Sequence, residues 1–535
     1  MKPYWQLAAL VALVAAGGLA LRLPRLSQRP MHGDEAVHTV KFDTLWTTGK
    51  YVYDPQEYHG PVLYYATLPA MWLSGTRSYA KTSETTFRVV PVAFGVGLIL
   101  LLPLLADGLG RGAVLSAAVL IALSPALVFY SRYYIQETLL AFFTLAAIAA
   151  GWRYARRRRA GWAVLAGISI GLMHATKETC LIAFACLAAA LALTSALRRY
   201  ERTTVERASE PASGQSASHD RPASASRRHS VPIVAGALAA VLVSVLFYSS
   251  FGQNPRGPWD SLRSYATYFD RAAGHGLHDH PWYYYWHLLL AWRERPGPWW
   301  SEAFIAILAA LGLIVVATGR HGASSPGLIR FLALYAVLMA VAYSAIPYKT
   351  PWCLLQFWPP LILLAGLGAA SLLRWVRSRP LQILIGLALF AATAHLGWQA
   401  WRSTDWRRYG YRNPYVYAHP LTDVVRLAGW VERLAQVHPD GHLMLVKVIA
   451  PDPWPLPWHL RRLERVGYWE TPPADAEAPI VIASNDVEPA VQAALRGQYE
   501  AYAYGLRPDV MLWLRVDSAL WRAYVEVEDR NRHEP

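Results

Sequence analysis

Along its first 400 positions the chain alternates uncharged apolar runs with short segments crowded with arginine, acids, histidine and aromatics. The runs lie close to the roughly 20 residues a helix needs to cross the hydrocarbon of a bilayer. Eleven are present, at 4–21, 89–106, 113–130, 138–151, 161–176, 179–197, 231–251, 303–318, 331–346, 352–373 and 381–399. The pattern therefore predicts a polytopic α-helical membrane protein with about 11 transmembrane helices. The fifth and sixth runs are divided only by Lys177-Glu178. One helix over 161–197 would be about 55 Å long at 1.5 Å per residue, too long for a bilayer of about 30 Å, so two passes with a tight turn are expected. The fourth run is extended back to about Tyr134, which puts Glu137 at its outer end. The first run follows Lys2 and ends in Ala15-Ala16-Gly17-Gly18, as a secretory signal does. It is long for a signal core, and ten further spans follow it.

Between the runs, polarity changes side by side with topology. With the amino terminus inside, the inner loops contain Arg111, then Arg153 and Arg156 to Arg159, then the arginines of 198–228, then Arg320 and Arg330, and last Arg374, Arg377 and Arg379. This is the positive-inside pattern of a cytoplasmic membrane protein. It accounts for the formal net charge of +15 without nucleic acid, for which no aromatic-interleaved basic motif is present. The inner clusters are also suited to anionic lipid headgroups. The chain's 3 cysteines, Cys180, Cys186 and Cys353, lie in or beside spans. They read as buried thiols, with a Cys180–Cys353 bridge as the alternative.

The organisation that follows is a transmembrane half at 1–200 with a long outer loop at 22–88, a linker at 201–230, a second transmembrane half at 231–400 and a soluble segment at 401–535. Within the first outer loop the stretch 62–73 is too short to cross and is expected to lie flat on the membrane. The outer loop 252–301 is rich in interfacial aromatics, among them Trp259, Trp282, Trp286, Trp292, Trp299 and Trp300. The linker is Ser, Ala, Arg and Glu with almost no large apolar residue, a composition expected to be disordered and cytoplasmic. Helical periodicity at 422–437 and 487–496, with strand-like runs at 442–449 and 479–483, predicts a small α/β domain at 401–535. By the parity of eleven spans it is extracytoplasmic.

On this topology the ionisable residues at the outer ends of the spans are the candidates, since charge at the membrane edge is costly. They are His32-Gly33-Asp34-Glu35 and His38, His59-Gly60-Pro61, Arg132-Tyr133 with Glu137, Lys177-Glu178, and Lys349. Each has a plainer role open to it. Asp34 and Glu35 suit a helix amino end, Arg132 and Lys349 suit snorkelling anchors, and Lys177-Glu178 suits a turn that pairs its own charges. His32, Asp34, His38 and His59 match no specific metal-ligand spacing, so no metal site is assigned and a divalent cation is not indicated. Taken together, carboxylates beside cations on one membrane face fit a substrate carrying a phosphate and a hydroxyl. An Asp can accept the hydroxyl proton while Arg and Lys stabilise charge on a phosphate leaving group.

The order of these motifs resembles the GT-C superfamily of membrane glycosyltransferases, relatives of the protein O-mannosyltransferases and aminoarabinose transferases. More closely it resembles the flippase activity-associated family, with its segments Tyr415-Val416-Tyr417-Ala418-His419 and Trp454-Pro455-Leu456-Pro457-Trp458. The resemblance implies an enzyme that transfers a sugar from a polyprenyl-phosphate carrier to an unknown acceptor, a glycan, lipid or protein, without a nucleotide or other required cofactor. By motif position Asp34 is the implied catalytic base, with Glu35 beside it. Arg132, Lys177 and Lys349 would hold the lipid phosphate, and His59 and Glu137 would shape the acceptor or sugar pocket, with Tyr133 and Glu178 also at the substrate. An inverting single displacement in the plasma membrane of a prokaryote follows. The chain departs from the mannosyltransferases at Gly60-Pro61, where they carry two prolines, so neither sugar nor acceptor carries over. The rival functions are a lipid-linked sugar flippase or flippase-associated protein, disfavoured by spans nearly free of charge, and an assembly protein in which 454–458 forms an exposed aromatic surface, a segment that equally suits a lid over the membrane site.

Overall fold

A computed structural model describes residues 4–56, 59–209, 223–272, 278–320, 322 and 325–533. The centre of the expected linker, 210–222, lies outside the described residues. Contacts divide the chain into two units, one of residues 1–26, 50–66 and 88–415, the other of 27–49, 67–87 and 416–535.

In the first unit every one of the eleven apolar runs forms a helix. Among the described residues eight helices are long and apolar enough to cross a bilayer: Trp5–Arg22, Glu84–Leu109, Glu137–Arg157, Cys180–Thr204, Ser230–Tyr248, Pro326–Ala345, Trp358–Trp375 and Arg379–Ser403. The other three runs form the shorter apolar helices Arg111–Leu123, Ala160–His174 and Ala303–Ala317. The protein is a multi-pass membrane protein. Arg379–Ser403 shows why lipid is required, because Leu381, Ile383, Leu384, Leu387 and Phe390 all stand exposed on it, a surface water would penalise.

Three runs differ from the expected continuous helix, the first being 89–106, which passes through the 3-10 turn Leu102–Leu105. The run 113–130 breaks at Ser124 into Arg111–Leu123 and Pro125–Tyr130. Pro125 lacks the N–H that would continue the ladder, and Ser124 caps the second piece by accepting from the Leu127 N–H at 3.4 Å. The run 352–373 begins as a 3-10 turn, Pro351–Gln356, and becomes an α-helix at Trp358–Trp375 where Pro359 and Pro360 occupy the first positions. The turn forced between Ala160–His174 and Cys180–Ser209 falls at 175–179, as length alone demanded.

Close helix packing in this unit uses small residues. Ala303–Ala317 lies against Trp358–Trp375, whose other neighbour is Arg111–Leu123. Gly312 and Gly368 sit where a Cβ would strike the Leu364 and Leu308 carbonyls, so the first pair of backbones nearly touch.

The second unit joins the helix Gly33–Thr48 and residues 67–87 to an α/β core. Its sheet has five strands, β1 (Val446–Ile449), β2 (Val466–Trp469), β3 (Ile480–Ser484), β4 (Tyr499–Arg507) and β5 (Val510–Asp517), in the order β2-β1-β3-β5-β4. β1 runs parallel to both neighbours, pairing Val446 with Val466 and with Ile480. β5 runs antiparallel to β3 and β4, with Ile480 opposite Val516. The amphipathic helix Asp423–Val437 lays Val424, Leu427, Val431 and Leu434 onto Val446, Val448, Ile480, Ile482, Leu512 and Leu514. The opposite sheet face packs Ile449, Val481 and Ala483 on Val491 of the helix Glu488–Ala494. The sequence reading found the helix at 423–437 and strands β1 and β3, and missed β2, β4, β5 and the closing helix Ser518–His533.

One expectation is overturned here. Trp458 is not part of an exposed aromatic surface, because it is fully buried. It meets Phe87 and Tyr79 edge-on, with centroids 5.4 and 5.9 Å away, and its indole N–H donates to Glu84 at 3.1 Å. Burial of so large a ring beside the residues ahead of the second span outweighs any gain from exposing it.

Candidate active site

In the second unit the HGDE motif opens the helix Gly33–Thr48. His32 caps it, its Nδ1 accepting from the Asp34 N–H at 3.1 Å. An acceptor at Nδ1 requires the proton on Nε2, which donates to the Tyr417 carbonyl at 3.2 Å. Burial pushes the His32 pKa below its ordinary value against the pull of Asp34 and Glu35, so the ring is held neutral. Glu35 is fully buried and pairs bidentately with Arg29, at 2.8 and 2.9 Å, and one of its oxygens also accepts the His32 N–H at 3.0 Å. Arg29 further donates to Nε2 of His419, the last residue of the Tyr415–His419 segment, at 2.8 Å.

The two adjacent acids are thus unlike. Glu35 has its charge and lone pairs consumed within the protein. Asp34 has its side chain 49% exposed, with the His32 Nδ1 at 4.0 Å from one oxygen. His38 is buried on the same helix.

In the first unit, the turn 175–179 collects four of the candidates into two pairs. Lys177 forms a buried ion pair with Glu137, the first residue of its helix, and both side chains are less than a tenth exposed. Burial opposes the ammonium charge, but Glu137, Cys353 and Glu178 together hold the Lys177 pKa above its ordinary value, so it remains a cation. Gln356 ties the same place to the 3-10 turn by donating to the Glu137 carbonyl at 3.1 Å. The neighbouring Glu178 accepts from Nδ1 of His59 at 2.7 Å and from the hydroxyl of Tyr53 at 2.8 Å. Burial raises the Glu178 pKa, and the charge and hydrogen bond of His59 with that of Tyr53 more than reverse this, leaving it below the usual carboxylate value.

Gly60 explains how the first loop reaches that turn. A Cβ there would collide with the Ala175 carbonyl, and the Val62 N–H donates to the same carbonyl at 3.1 Å. The departure from a second proline at this position is therefore a close backbone approach.

Arg132 is buried and donates to the Pro24 carbonyl at 2.7 Å. Tyr133 is fully buried in an aromatic group with Phe129, Tyr130 and Trp352, at 5.5, 5.6 and 6.4 Å. Lys349 is placed differently from Lys177, for its ammonium donates to the backbone carbonyls of His280, at 3.0 Å, and Ile346. The three cysteines are free thiols, which removes the Cys180–Cys353 bridge. Among the described residues no group of three or more His, Cys, Asp or Glu side chains is arranged to hold a metal.

Several partners were missed in the sequence, including Arg29, Tyr53, Gln356, Arg22 and Glu302. The last two satisfy the rule used to choose candidates, since each is an ionisable residue at the end of an apolar run.

Residues 61–209 match the family described as dolichyl-phosphate-mannose-protein mannosyltransferase. The structure is similar to that of ArnT from Cupriavidus metallidurans bound to undecaprenyl phosphate, with a TM-score of 0.63 at 15% identity over 95% of this chain and 98% of that one. It is also similar to the oligosaccharyltransferase AglB from Archaeoglobus fulgidus in complex with an inhibitory peptide and a dolichol-phosphate, with a TM-score of 0.54 at 13% identity over 97% of this chain and 77% of that one. The fold is that of the GT-C glycosyltransferases. Comparison with curated proteins gives no match.

Proposed function

We propose that the protein is a GT-C glycosyltransferase that moves a sugar from a polyprenyl-phosphate donor to an acceptor hydroxyl with inversion. The observation that carries this is the division of labour between Asp34 and Glu35, one carboxylate half exposed and the other locked by Arg29. The likeness to a fold whose solved members include one bound to undecaprenyl phosphate supports the donor class.

In this reading Asp34 accepts the proton of the acceptor hydroxyl as its oxygen attacks the anomeric carbon. The bond from that carbon to the phosphate oxygen breaks, and the polyprenyl phosphate departs with the electron pair. Arg132, Lys177 and Lys349 stabilise the phosphate charge. Glu137 keeps Lys177 ionised in the absence of donor, and Glu178 orients the His59 ring through Nδ1. Glu35 positions the helix start that carries Asp34. The protein acts in the plasma membrane of a prokaryote, with its amino terminus inside and its 401–535 domain outside.

The test is transfer by the purified full chain in lipid nanodiscs across a panel of polyprenyl-phosphate sugars and acceptors. Wild type transfers from at least one donor, and Asp34→Asn loses about 10²- to 10⁴-fold in rate, the range for a general base. Equal rates for wild type and a properly folded Asp34→Asn overturn the assignment. So does movement of labelled carrier between leaflets with no transfer from any donor.

A further inference from the structure

Among the described residues, the buried charged groups Arg22 and Glu302 have no opposite charge as a hydrogen-bond partner, and both meet the break in the third apolar run. Arg22, fully buried, meets no carboxylate among the described residues. It donates to the carbonyls of Gly18, Ile121 and Ala122, each at 3.0 Å, and to the Ser131 hydroxyl at 2.9 Å. Ile121 and Ala122 end the helix before the break, where carbonyls lack their own partners.

Glu302, equally buried, meets no cation among the described residues. One of its oxygens accepts from the Ser124 hydroxyl at 2.5 Å and the Trp358 indole at 3.0 Å. The other accepts from the Ala126 N–H at 2.7 Å and the Tyr415 hydroxyl at 2.6 Å. Ser124 and Ala126 open the piece after the break. The Tyr415 carbonyl in turn accepts from the hydroxyl of Tyr130, at 2.8 Å, two residues before Arg132.

An isolated buried charge is expensive unless every lone pair or proton is satisfied. A pair of them on either side of one chain break is a cost that packing alone does not require, since an unbroken apolar helix would avoid both. We propose that Arg22 and Glu302 are positioning residues, which clamp the broken helix so that the Ser131-Arg132-Tyr133 segment is held for binding the phosphate of the lipid donor. Arg22 holds the segment from Ser131, and Glu302 holds it through Ser124, Ala126 and the Tyr415–Tyr130 link. This deepens the proposed function and rests on it.

The experiment measures binding of undecaprenyl phosphate to the full chain in nanodiscs for wild type, Tyr415→Phe, Glu302→Gln and Arg22→Lys, with the thermal midpoint of each. Tyr415→Phe removes one hydroxyl and keeps the ring, so its midpoint stays near wild type while its Kd rises about tenfold. Glu302→Gln turns an N–H₂ toward groups that themselves donate, and Arg22→Lys replaces a fork with a single ammonium. Each weakens binding at least as much as Tyr415→Phe. In transfer assays the loss falls on the KM for the lipid donor before it falls on kcat. Wild-type Kd in Tyr415→Phe and in whichever of the other two variants folds overturns the clamp. Failure of wild type itself to bind undecaprenyl phosphate overturns the underlying reading instead.

Discussion

The guanidinium of Arg29 takes both carboxylate oxygens of Glu35, at 2.8 and 2.9 Å, with both side chains buried. Two acids adjacent in sequence therefore stand in unlike surroundings. Asp34→Asn leaves the thermal midpoint unchanged and removes transfer. Glu35→Gln leaves a buried guanidinium without its counter-charge and destabilises the protein by about 3 kcal/mol, read as a lowered midpoint in a thermal unfolding scan. The reverse result, a stable Glu35→Gln with no transfer and an unstable Asp34→Asn, would exchange their roles.

Gly60→Ala is expected to lower stability by about 1–3 kcal/mol, since the added methyl meets the rigid Ala175 backbone and one segment must move. Gly60→Pro, which restores the pair of prolines seen in mannosyltransferases, fares no better. Its ring occupies the same space, so the substitution damages the protein without conferring mannosyl transfer. A thermal scan with a mannosyl-donor assay checks both statements.

The contact of His59 and Tyr53 with Glu178 has a definite pH window. The Glu178 pKa is depressed below its ordinary 4.5 in the folded protein. Its contribution to stability is fully present above the unfolded value and disappears as the pH falls through the folded one. The midpoint difference between wild type and Glu178→Gln therefore shrinks as the pH falls below the ordinary 4.5. A difference that persists unchanged well below that pH would assign the effect to another group.

Trp458→Ala removes a fully buried ring packed on Phe87 and Tyr79. The expected cost is about 3–5 kcal/mol. Measured by thermal unfolding and limited proteolysis, the variant loses order in the carboxy-terminal unit. A wild-type midpoint accompanied by loss of a binding partner would restore the view of 454–458 as a recognition surface.

How far the sequence could be read depends on the range of the force involved. All eleven apolar runs became helices, because in lipid a segment must satisfy its backbone internally and only length and apolarity decide whether it does. The turn at Lys177-Glu178 followed from bilayer thickness. In the soluble part the helix at 423–437 and strands β1 and β3 were legible, whereas β4 and β5 were missed. Strands β4 and β5 carry mixed polar and apolar residues whose pairing, Tyr499 with Asp517 and Glu500 with Val516, is set by the sheet.

The candidate residues were legible as a set and illegible as partners. Lys177, for which the resemblance implies a hold on the lipid phosphate, is paired with Glu137, while Lys349, given the same role, binds two backbone carbonyls. Arg22 and Glu302 were passed over, although each stands at the end of an apolar run, because neither belongs to a recognisable motif.

The sequence by itself determined that this is a multi-pass helical membrane protein with its motif-bearing acids and cations at span ends, since those properties are set locally by hydropathy and charge. Only the tertiary structure decided which charges are consumed and which remain for chemistry. Asp34 and Glu35 differ by one methylene and one position, and the difference between a half-exposed carboxylate and a locked one is made by Arg29 on the same loop and His419 nearly 400 residues away. A pairing of that kind depends on which side chains burial brings within hydrogen-bond reach, and no local pattern encodes it.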